Sequence, residues 1–308
     1  MNIIFMGTPD FAVESLKKIY ESGHHVQAVV TNPDKPVGRN MKYMPTPVKE
    51  YAESKGIKVF QTEKIRKDTS LIKTLKEMKP DIIVVVAFGQ ILPEEVLKIP
   101  KYGAVNVHGS ILPKYRGAAP IQWAVMNGDT ITGITTMYMD VGMDTGDIID
   151  VQEVSIDEED TYGTLYEKLK VVGGSLIVKT LENIAEGIAT RKKQSDDYTL
   201  APMIEKQMGQ INWNESAEKI KNLIRGFNPV PGAYTYYNGE MMKIWSAEVV
   251  KDAVLSIPGT ILKADKKDGI LVATGHNSIL IKELQMPNSK KMLAKDYLNG
   301  HNISGVLD

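Results

Sequence analysis

The chain has 308 residues, of which 43% are hydrophobic and 24% charged, as is typical of a globular protein with a buried core. A formal net charge of −1 argues against a general binder of polyanions, and the absence of cysteine excludes disulfides, thiolate metal sites and a cysteine nucleophile. No apolar run approaches the roughly 18 residues of a membrane span, and the first residues lack a signal-peptide pattern. We therefore expect no membrane association and a cytoplasmic location.

The first half of the chain alternates strand and helix patterns. Short runs rich in β-branched residues predict strands at 2–7, 25–32, 58–61, 81–89 and 103–109. Further strands are predicted at 131–140 and 147–156. Because helical spacing fills several of the intervals, the pattern predicts an α/β fold with a doubly wound, mostly parallel, Rossmann-like sheet.

A second domain is predicted after a long helix at 161–187. Periodicity is lost over 190–206, which we interpret as a linker between a catalytic domain at 1–189 and a C-terminal domain at 207–308. The C-terminal part has one helix and short strands separated by turn signals, which predict a smaller, OB-like β-barrel. Residues 1–206 carry a formal charge of −3 and residues 207–308 a charge of +2.

The turn after the first strand argues against a dinucleotide cofactor. It reads MGTPDFA, with one glycine instead of a GxGxxG motif and with Pro9 where a phosphate loop needs free N–H groups. The chain also lacks a convincing GxSxG elbow and an HExxH motif, so hydrolase and zinc-enzyme interpretations have no support.

Polar residues at the predicted strand ends are the best candidates for chemistry. Asn106 and His108 are two apart at the end of a buried strand and therefore point to the same face, and Asp144 lies in a loop between two later strands. Taken singly, each has a structural explanation, such as a hydrogen-bonded histidine or a turn-forming aspartate. Together they supply a donor, a tunable acid–base group and an orienting carboxylate.

The same residues carry a family resemblance. The stretches NVHGSILPKYRGAAP and DVGMDTGDI resemble the folate-dependent formyltransferase family, with Ile111 in place of the usual leucine. The stretches IIFMGTPDFA and NPDKPVGRNMKYMPTPVK resemble in particular the members of this family that formylate methionyl-tRNA. The resemblance extends through the second domain, in INW, IRGFNPVPGAYT and PGTIL.

The resemblance implies transfer of a formyl group from 10-formyltetrahydrofolate to the α-amino group of methionine on initiator tRNA, for translation initiation. It implies that Asn106, His108 and Asp144 are catalytic and that no metal is used. Three segments would bind the folate, with the residues Ser110, Ile111, Leu112, Pro113, Phe88, Gly89, Gln90, Ile91, Leu92, Met139, Asp140 and Val141. Asn106 and His108 would donate hydrogen bonds to the formyl oxygen, each worth roughly 3–4 kcal/mol. Asp144 would orient His108 and pass the amine proton on, directly or through water.

The segment 32–49 is rich in proline and basic residues and lacks periodicity up to a predicted helix start at Thr46. Composition alone favours a solvated surface loop. The resemblance instead implies that this loop enters the acceptor end of the tRNA, through Arg39 first and also Lys35 and Lys42. The second domain would then follow the phosphates of the acceptor stem.

Three alternatives remain open at this point. A formyltransferase acting on an amino-sugar nucleotide shares the HGSLLP core, a formyltetrahydrofolate hydrolase would use water as the acceptor, and a tRNA-binding module would lack chemistry. No protein partner is implied in any of these cases.

Overall fold

The computed structural model describes residues 1–37, 41–252 and 256–308. These residues form two compact units: Met1–Pro120, Ile131–Ser155 and Tyr166–Pro202 make the first, and Ile121–Thr130, Ile156–Leu165 and Met203–Asp308 the second. The functional boundaries at 189 and 206 stay predictions.

Apart from two short strands, Lys35–Val37 and Lys42–Met44, the strands of the first 186 residues lie where the sequence predicts them. The strands are β1 (Asn2–Gly7), β2 (His25–Thr31), β3 (Lys35–Val37), β4 (Lys42–Met44), β5 (Val59–Gln61), β6 (Ile82–Val86), β7 (Ala104–His108), β8 (Ile131–Tyr138) and β9 (Ile148–Ser155). The helices are α1 (Asp10–Glu21), α2 (Pro47–Ser54), α3 (Thr69–Met78), α4 (Glu94–Leu97), α5 (Pro120–Met126) and α6 (Tyr162–Glu186).

The main sheet of the first unit has the strand order β5-β2-β1-β6-β7-β8-β9. In this order, the five strands from β5 to β7 are all parallel to one another. Strand β8 pairs antiparallel with β7, and β9 pairs antiparallel with β8. The predicted mostly parallel α/β sheet is therefore confirmed. The strand order reverses between β1 and β6, so the carboxyl ends of these strands form the crevice where such sheets bind ligands.

Local sequence explains where several elements begin and end. Thr46 caps α2 by accepting a hydrogen bond from the Lys49 N–H at 3.2 Å, with Pro47 in the first turn. Strand β6 ends at Val86 rather than at the predicted residue 89, because Ala87 and Gly89 adopt φ values of 45° and 76°. The chain therefore turns sharply at the edge of the crevice.

The second unit combines helix α7 (Ala217–Gly226) with antiparallel strands. The remaining elements are β10 (Ala233–Tyr237), β11 (Glu240–Val250), β12 (Ile261–Asp265), β13 (Gly269–Ala273), β14 (Ser278–Gln285), β15 (Met292–Leu293) and α8 (Ala294–Tyr297). The sheet order is β10-β11-β14-β13-β12, with β15 paired to β14. Asn238 and Gly239 join β10 to β11 with φ values of 51° and 80°, the left-handed pair that a two-residue hairpin turn requires.

The last residues of the chain connect the two ends of this sheet. The Ile261 N–H at the start of β12 donates to the Gly305 carbonyl at 2.8 Å, and Tyr236 in β10 exchanges two backbone hydrogen bonds of 3.0 Å with Asp308. Residues 305–308 thus close the sheet, which confirms the small β-barrel predicted for this part of the chain. Among the described residues, no helix has both the length and the apolar character needed to span a bilayer.

Candidate active site

Asn106 and His108 lie at the carboxyl end of β7, and Asp144 reaches them from the loop between β8 and β9. The Asn106 Nδ2 atom is 3.4 Å from Asp144 Oδ1, and the His108 Nδ1 atom is 3.6 Å from Asp144 Oδ2. The His108 side chain is 6% exposed and that of Asp144 15%. The structure therefore brings the three predicted side chains together in one largely desolvated cluster.

The ring orientation of His108 is fixed by a main-chain carbonyl. Its Nε2 atom lies 2.9 Å from the main-chain carbonyl oxygen of Tyr115. Because a carbonyl can only accept, Nε2 carries the hydrogen in this contact. In the neutral ring, Nδ1 is then an unprotonated acceptor that faces Asp144. A proton on Nδ1 would turn this contact into an ion pair.

Asp144 is positioned by its backbone as well as by its partners. The residue adopts φ 55°, a left-handed conformation that non-glycine residues seldom take, and its Oδ2 accepts a hydrogen bond from the Gly117 N–H at 2.9 Å. Gly146 follows closely, and a Cβ at that position would lie 1.8 Å from the Tyr138 oxygen. The VGMDTG stretch therefore folds into a turn that requires glycine at 146.

One of the three predicted folate-binding segments, residues 88–92, follows β6 at the crevice between β1 and β6. Phe88 and Leu92 are 2% and 3% exposed and pack into the core, whereas Ile91 is 69% exposed. The Phe88 carbonyl accepts hydrogen bonds from Thr8 and from Asn32. The packing of Phe88 and Leu92 in the core thus anchors the segment at both ends.

Gln90 fixes the middle of this segment to its surroundings. Its Nε2 donates to Asn32 Oδ1 at 2.6 Å and to the Thr62 carbonyl at 2.9 Å, and its Oε1 accepts from the Ile65 N–H at 2.8 Å. Within the part of the chain that the structure describes, no backbone carbonyl accepts a hydrogen bond from the backbone N–H groups of residues 89–91, which are exposed or half-buried. These three donors could therefore meet a planar polar ligand.

The other two predicted folate segments differ in how they are exposed. Ser110 is fully buried and donates to the Lys114 carbonyl at 2.6 Å, and Leu112 is 4% exposed, so this turn shapes the site more than it offers polar side chains. Ile111 and Pro113 are half-buried in the same turn. After β8, Met139 is half-buried while Asp140 and Val141 are exposed, Val141 at 69%.

The predicted tRNA-contacting loop contains a short hairpin. Strands β3 and β4 pair with Lys35 opposite Met44 and Val37 opposite Lys42, although the sequence predicts no regular structure there. Each of these strands begins with a lysine and Pro36 interrupts β3, so the apolar pattern that predicts the equally short β5 is missing here. Lys35 and Lys42 are both exposed, and Arg39 lies outside the described residues.

Lys49, at the end of the same segment, is already paired. Its ammonium lies 2.8 Å from Asp34 Oδ2 and also donates to Gln61. Hydrogen bonds from Lys49 and then Gln61 lower the pKa of Asp34. Among the described residues, Lys35 and Lys42 form no ion pair, so both ammonium groups are free to meet a phosphate.

Several residues of the site carry no signal in the sequence. Tyr115 and Gly117 act through main-chain groups, and Gln194, whose side chain donates to the Asp144 carbonyl at 2.8 Å, lies in the aperiodic segment predicted as a linker.

Within residues 1–37, 41–252 and 256–308, no three acidic, histidine or cysteine side chains are grouped in a way that could hold a metal ion.

Comparison with known proteins agrees with this fold. The model of the formyl transferase family matches residues 1–181, and that of the formyl transferase C-terminal domain matches residues 203–302. The chain belongs to the formyl transferase family. It is 51% identical over 304 residues to the methionyl-tRNA formyltransferase of Caldanaerobacter subterraneus, covering 98% of both chains. It is 49% identical over 310 residues to that of Halothermothrix orenii, again covering 98% of both.

Solved structures with lower identity share the fold. An N-formyltransferase from Helicobacter canadensis, in complex with folinic acid and dTDP-3-aminofucose, superposes with a TM-score of 0.68 at 23% identity, covering 92% of this chain and 98% of that one. HypX from Aquifex aeolicus, in complex with tetrahydrofolic acid, gives a TM-score of 0.64 at 16% identity and covers 96% of this chain. The chain spans 46% of the HypX structure.

Proposed function

We propose that this chain transfers a formyl group from 10-formyltetrahydrofolate to the α-amino group of methionine on initiator tRNA. The observation that carries the proposal is the convergence of Asn106, His108 and Asp144 at the carboxyl edge of the sheet. Sequence identity of about half over nearly the whole chain to methionyl-tRNA formyltransferases supports the acceptor.

The crevice between β1 and β6 suits a reduced folate, which would supply the formyl group. A pterin ring presents several acceptors and donors on its edge, and the backbone N–H groups of residues 89–91 are the type of partner it needs. Exposed Ile91 and Val141 offer apolar surface for its faces, while buried Phe88 and Leu92 hold the segment rigid. Rigid donors of this kind favour binding, because they lose little entropy when the ligand binds.

Asn106 is the proposed donor to the formyl oxygen. Its Nδ2 atom has two hydrogens, and the 3.4 Å contact with Asp144 uses one of them at long range. The other is free to bond to the oxygen as negative charge grows on it during attack by the amine. One well-placed donor of this kind accelerates acyl transfer by about 10²–10³-fold.

The pair formed by His108 and Asp144 is the proposed holder of the amine proton. The Tyr115 carbonyl keeps the hydrogen on Nε2, so the proton lost by the attacking amine can reside between Nδ1 and the carboxylate. As the bond between the formyl carbon and N10 of the folate breaks, this proton can pass to N10, which leaves as a neutral amine. With the proton on Nδ1, the ring carries a positive charge next to the Asn106 amide. This charge stabilises the negative formyl oxygen without a direct hydrogen bond, because the two ring N–H groups face the Tyr115 carbonyl and the Asp144 carboxylate. The buried setting strengthens both effects, because water does not screen them.

The acceptor tRNA is proposed to meet the segment at 32–49 and the second unit. Lys35 and Lys42 are exposed on the β3–β4 hairpin, which also presents the exposed side chains of Tyr43 and Met44. Cations supply attraction to phosphates, and an exposed tyrosine can stack on an unpaired base. Arg39, which belongs to the same segment of the sequence, is the proposed reader of the acceptor end.

A single assay compares acceptors with purified protein and 10-formyltetrahydrofolate. Charged initiator tRNA, charged elongator methionyl-tRNA and a dTDP-linked amino sugar are supplied in parallel, with a no-acceptor sample to detect hydrolysis. We expect rapid formylation of the initiator alone. The Asn106→Ala variant should be slower by about 10²-fold or more, and Asn299→Ala, an exposed asparagine in the second unit, serves as the matched control. Faster formylation of the amino sugar would overturn the proposal.

A further inference from the structure

Gln194 lies far from the reacting trio in sequence, yet its side chain binds the loop that carries Asp144. Its Nε2 donates to the carbonyl oxygens of Asp144 and Gly146, both at 2.8 Å. Its Oε1 accepts from the Arg116 Nε at 3.0 Å and Nη2 at 2.8 Å. Gln194 and Arg116 are each 9% exposed.

This network allows one orientation of the amide only. The guanidinium of Arg116 can only donate and the two carbonyls can only accept, so the oxygen of Gln194 must face Arg116 and its nitrogen must face the loop. The amide therefore uses both hydrogens and its oxygen in buried hydrogen bonds. Removing it would leave buried polar groups without partners, which is costly.

The loop that Gln194 holds has a strained backbone at Asp144, the residue whose carboxylate faces His108. Asp144 adopts φ 55°, and a conformation of this kind persists where surrounding contacts impose it. Gln194 holds the carbonyl of this residue, while the Gly117 N–H holds its carboxylate. The direction in which the carboxylate faces His108 is thus set from both ends of the residue.

The segment that contains Gln194 also holds the carbonyl that orients His108. Thr199 accepts a hydrogen bond from the Tyr115 N–H through its side chain at 2.8 Å and from the Arg116 N–H through its carbonyl at 2.9 Å. Tyr115 itself adopts φ 61°. Residues 194–199 therefore support both sides of the contact between His108 and Asp144.

We infer that Gln194 is a positioning residue for formyl transfer, which acts by fixing the Asp144 loop and, through Arg116, the Tyr115 carbonyl. This inference rests on the proposed function for its chemistry and on the hydrogen bonds above for its geometry. Gln194 touches neither His108 nor the Asp144 carboxylate in the described contacts, so its effect is indirect.

Two substitutions separate positioning from simple stability. Gln194→Met removes every hydrogen bond at nearly constant volume. Gln194→Glu keeps an acceptor for Arg116, as an ion pair, and removes both donors to the loop. The matched control is Gln27→Met, because Gln27 lies in β2 and its side chain donates a single hydrogen bond, to the Met78 carbonyl at 3.1 Å.

The readouts are kcat and KM with charged initiator tRNA, the thermal midpoint, and the ring ¹⁵N resonances of His108, which show which nitrogen carries the hydrogen. We expect both Gln194 variants to lower kcat by about 100-fold, the scale of a misplacement near 1 Å, with little change in KM. The Nε2-protonated form of His108 should lose its dominance in both. Gln27→Met should match wild type in kcat and in the ¹⁵N spectrum.

Gln194→Glu decides the matter if Gln194→Met does not fold. A Gln194→Glu protein with wild-type kcat and wild-type His108 resonances overturns the inference. Wild-type protein that formylates no acceptor would instead refute the proposed function, while the ¹⁵N spectra of the same variants would still test whether Gln194 positions His108 and Asp144.

Discussion

The Nδ1 atom of His108 faces the Oδ2 atom of Asp144 at 3.6 Å, with both side chains largely buried. This separation is longer than a hydrogen bond and short enough for a strong charge interaction when the ring is protonated. The opposite nitrogen of the ring is bound to the Tyr115 carbonyl. In the proposed mechanism, Nδ1 is therefore the atom of His108 that would accept the proton of the amine.

Removing either member of this pair should slow the reaction strongly. We expect His108→Ala and Asp144→Asn each to lower kcat by at least about 100-fold, the scale of a lost acid–base group or oxyanion donor. Asp144→Asn keeps an oxygen that can accept from the Gly117 N–H, so the loop should stay folded. The checks are single-turnover formyl transfer, the thermal midpoint and tRNA affinity, and only the first should change.

A matched control for this charge removal is available in the same unit. Asp196→Asn neutralises an exposed aspartate two residues from Gln194 and should leave the rate unchanged. Near-normal turnover by Asp144→Asn would remove this carboxylate from the mechanism.

Fragments that end at different points should distinguish the proposed linker from the site. Because Gln194 and Thr199 bind the loops at 115–117 and 144–146, a fragment of residues 1–206 should bind folate, whereas one of residues 1–189 should not. Both should bind tRNA poorly, since both lack the +2 domain at 207–308.

Met126 packs against the core of the second unit, so both fragments expose it and should melt below the full chain. Folate binding is measured by calorimetry and tRNA binding by gel retardation. A 1–206 fragment with the tRNA affinity of the full chain would refute the role of the second domain.

The central strand β6 was predictable because it is a continuous β-branched run. All five of its residues are buried, and such a run has no solvent face to obscure the pattern. Asn106 and His108 were predictable for a related reason, because two polar residues two apart interrupt a buried strand. The β3–β4 hairpin was not, because a lysine begins each of its strands and Pro36 interrupts β3, whereas the equally short β5 keeps Val59 and Phe60 side by side.

The supporting residues of the site could not be predicted from pattern. Tyr115 and Gly117 contribute main-chain atoms, which any residue carries, and their roles depend on a turn with φ 61° at Tyr115. Gln194 lies 50 residues from Asp144 in an aperiodic stretch, and its contact arises only from tertiary folding. The proposed linker thus contains a residue of the site, which loss of periodicity does not reveal.

Closure of the second unit by residues 305–308 should matter for its stability. Leu307 is 2% exposed and packs in the core of this unit, so Leu307→Ala should lower the free energy of unfolding by about 2–5 kcal/mol. The neighbouring Val306 is 48% exposed, and Val306→Ala should change it by less than about 0.5 kcal/mol. Urea unfolding followed by tryptophan fluorescence measures both, because Trp213 lies in the same core. Equal effects of the two substitutions would mean that the barrel does not depend on this closure.

Replacing Arg39 by lysine can separate specific recognition of tRNA by the segment at 32–49 from simple charge attraction. If Arg39 only attracts phosphate, Arg39→Lys should behave as wild type, and Arg39→Ala and Lys42→Ala should weaken all tRNAs equally, each with about one phosphate contact less in the salt dependence. A guanidinium can instead make paired hydrogen bonds to a base edge or a phosphate, which an ammonium cannot reproduce.

We therefore expect Arg39→Lys to lose activity on initiator tRNA although it keeps the charge. Arg39→Ala should narrow the preference for initiator over elongator methionyl-tRNA. Lys42→Ala is the matched control, because Lys42 is an exposed cation on the adjoining strand β4, and it should leave that preference intact. The measurement is the ratio of kcat/KM for the two charged tRNAs in each variant. Wild-type activity and ratio in Arg39→Lys would reduce Arg39 to a point charge, and the segment would then attract tRNA without reading it.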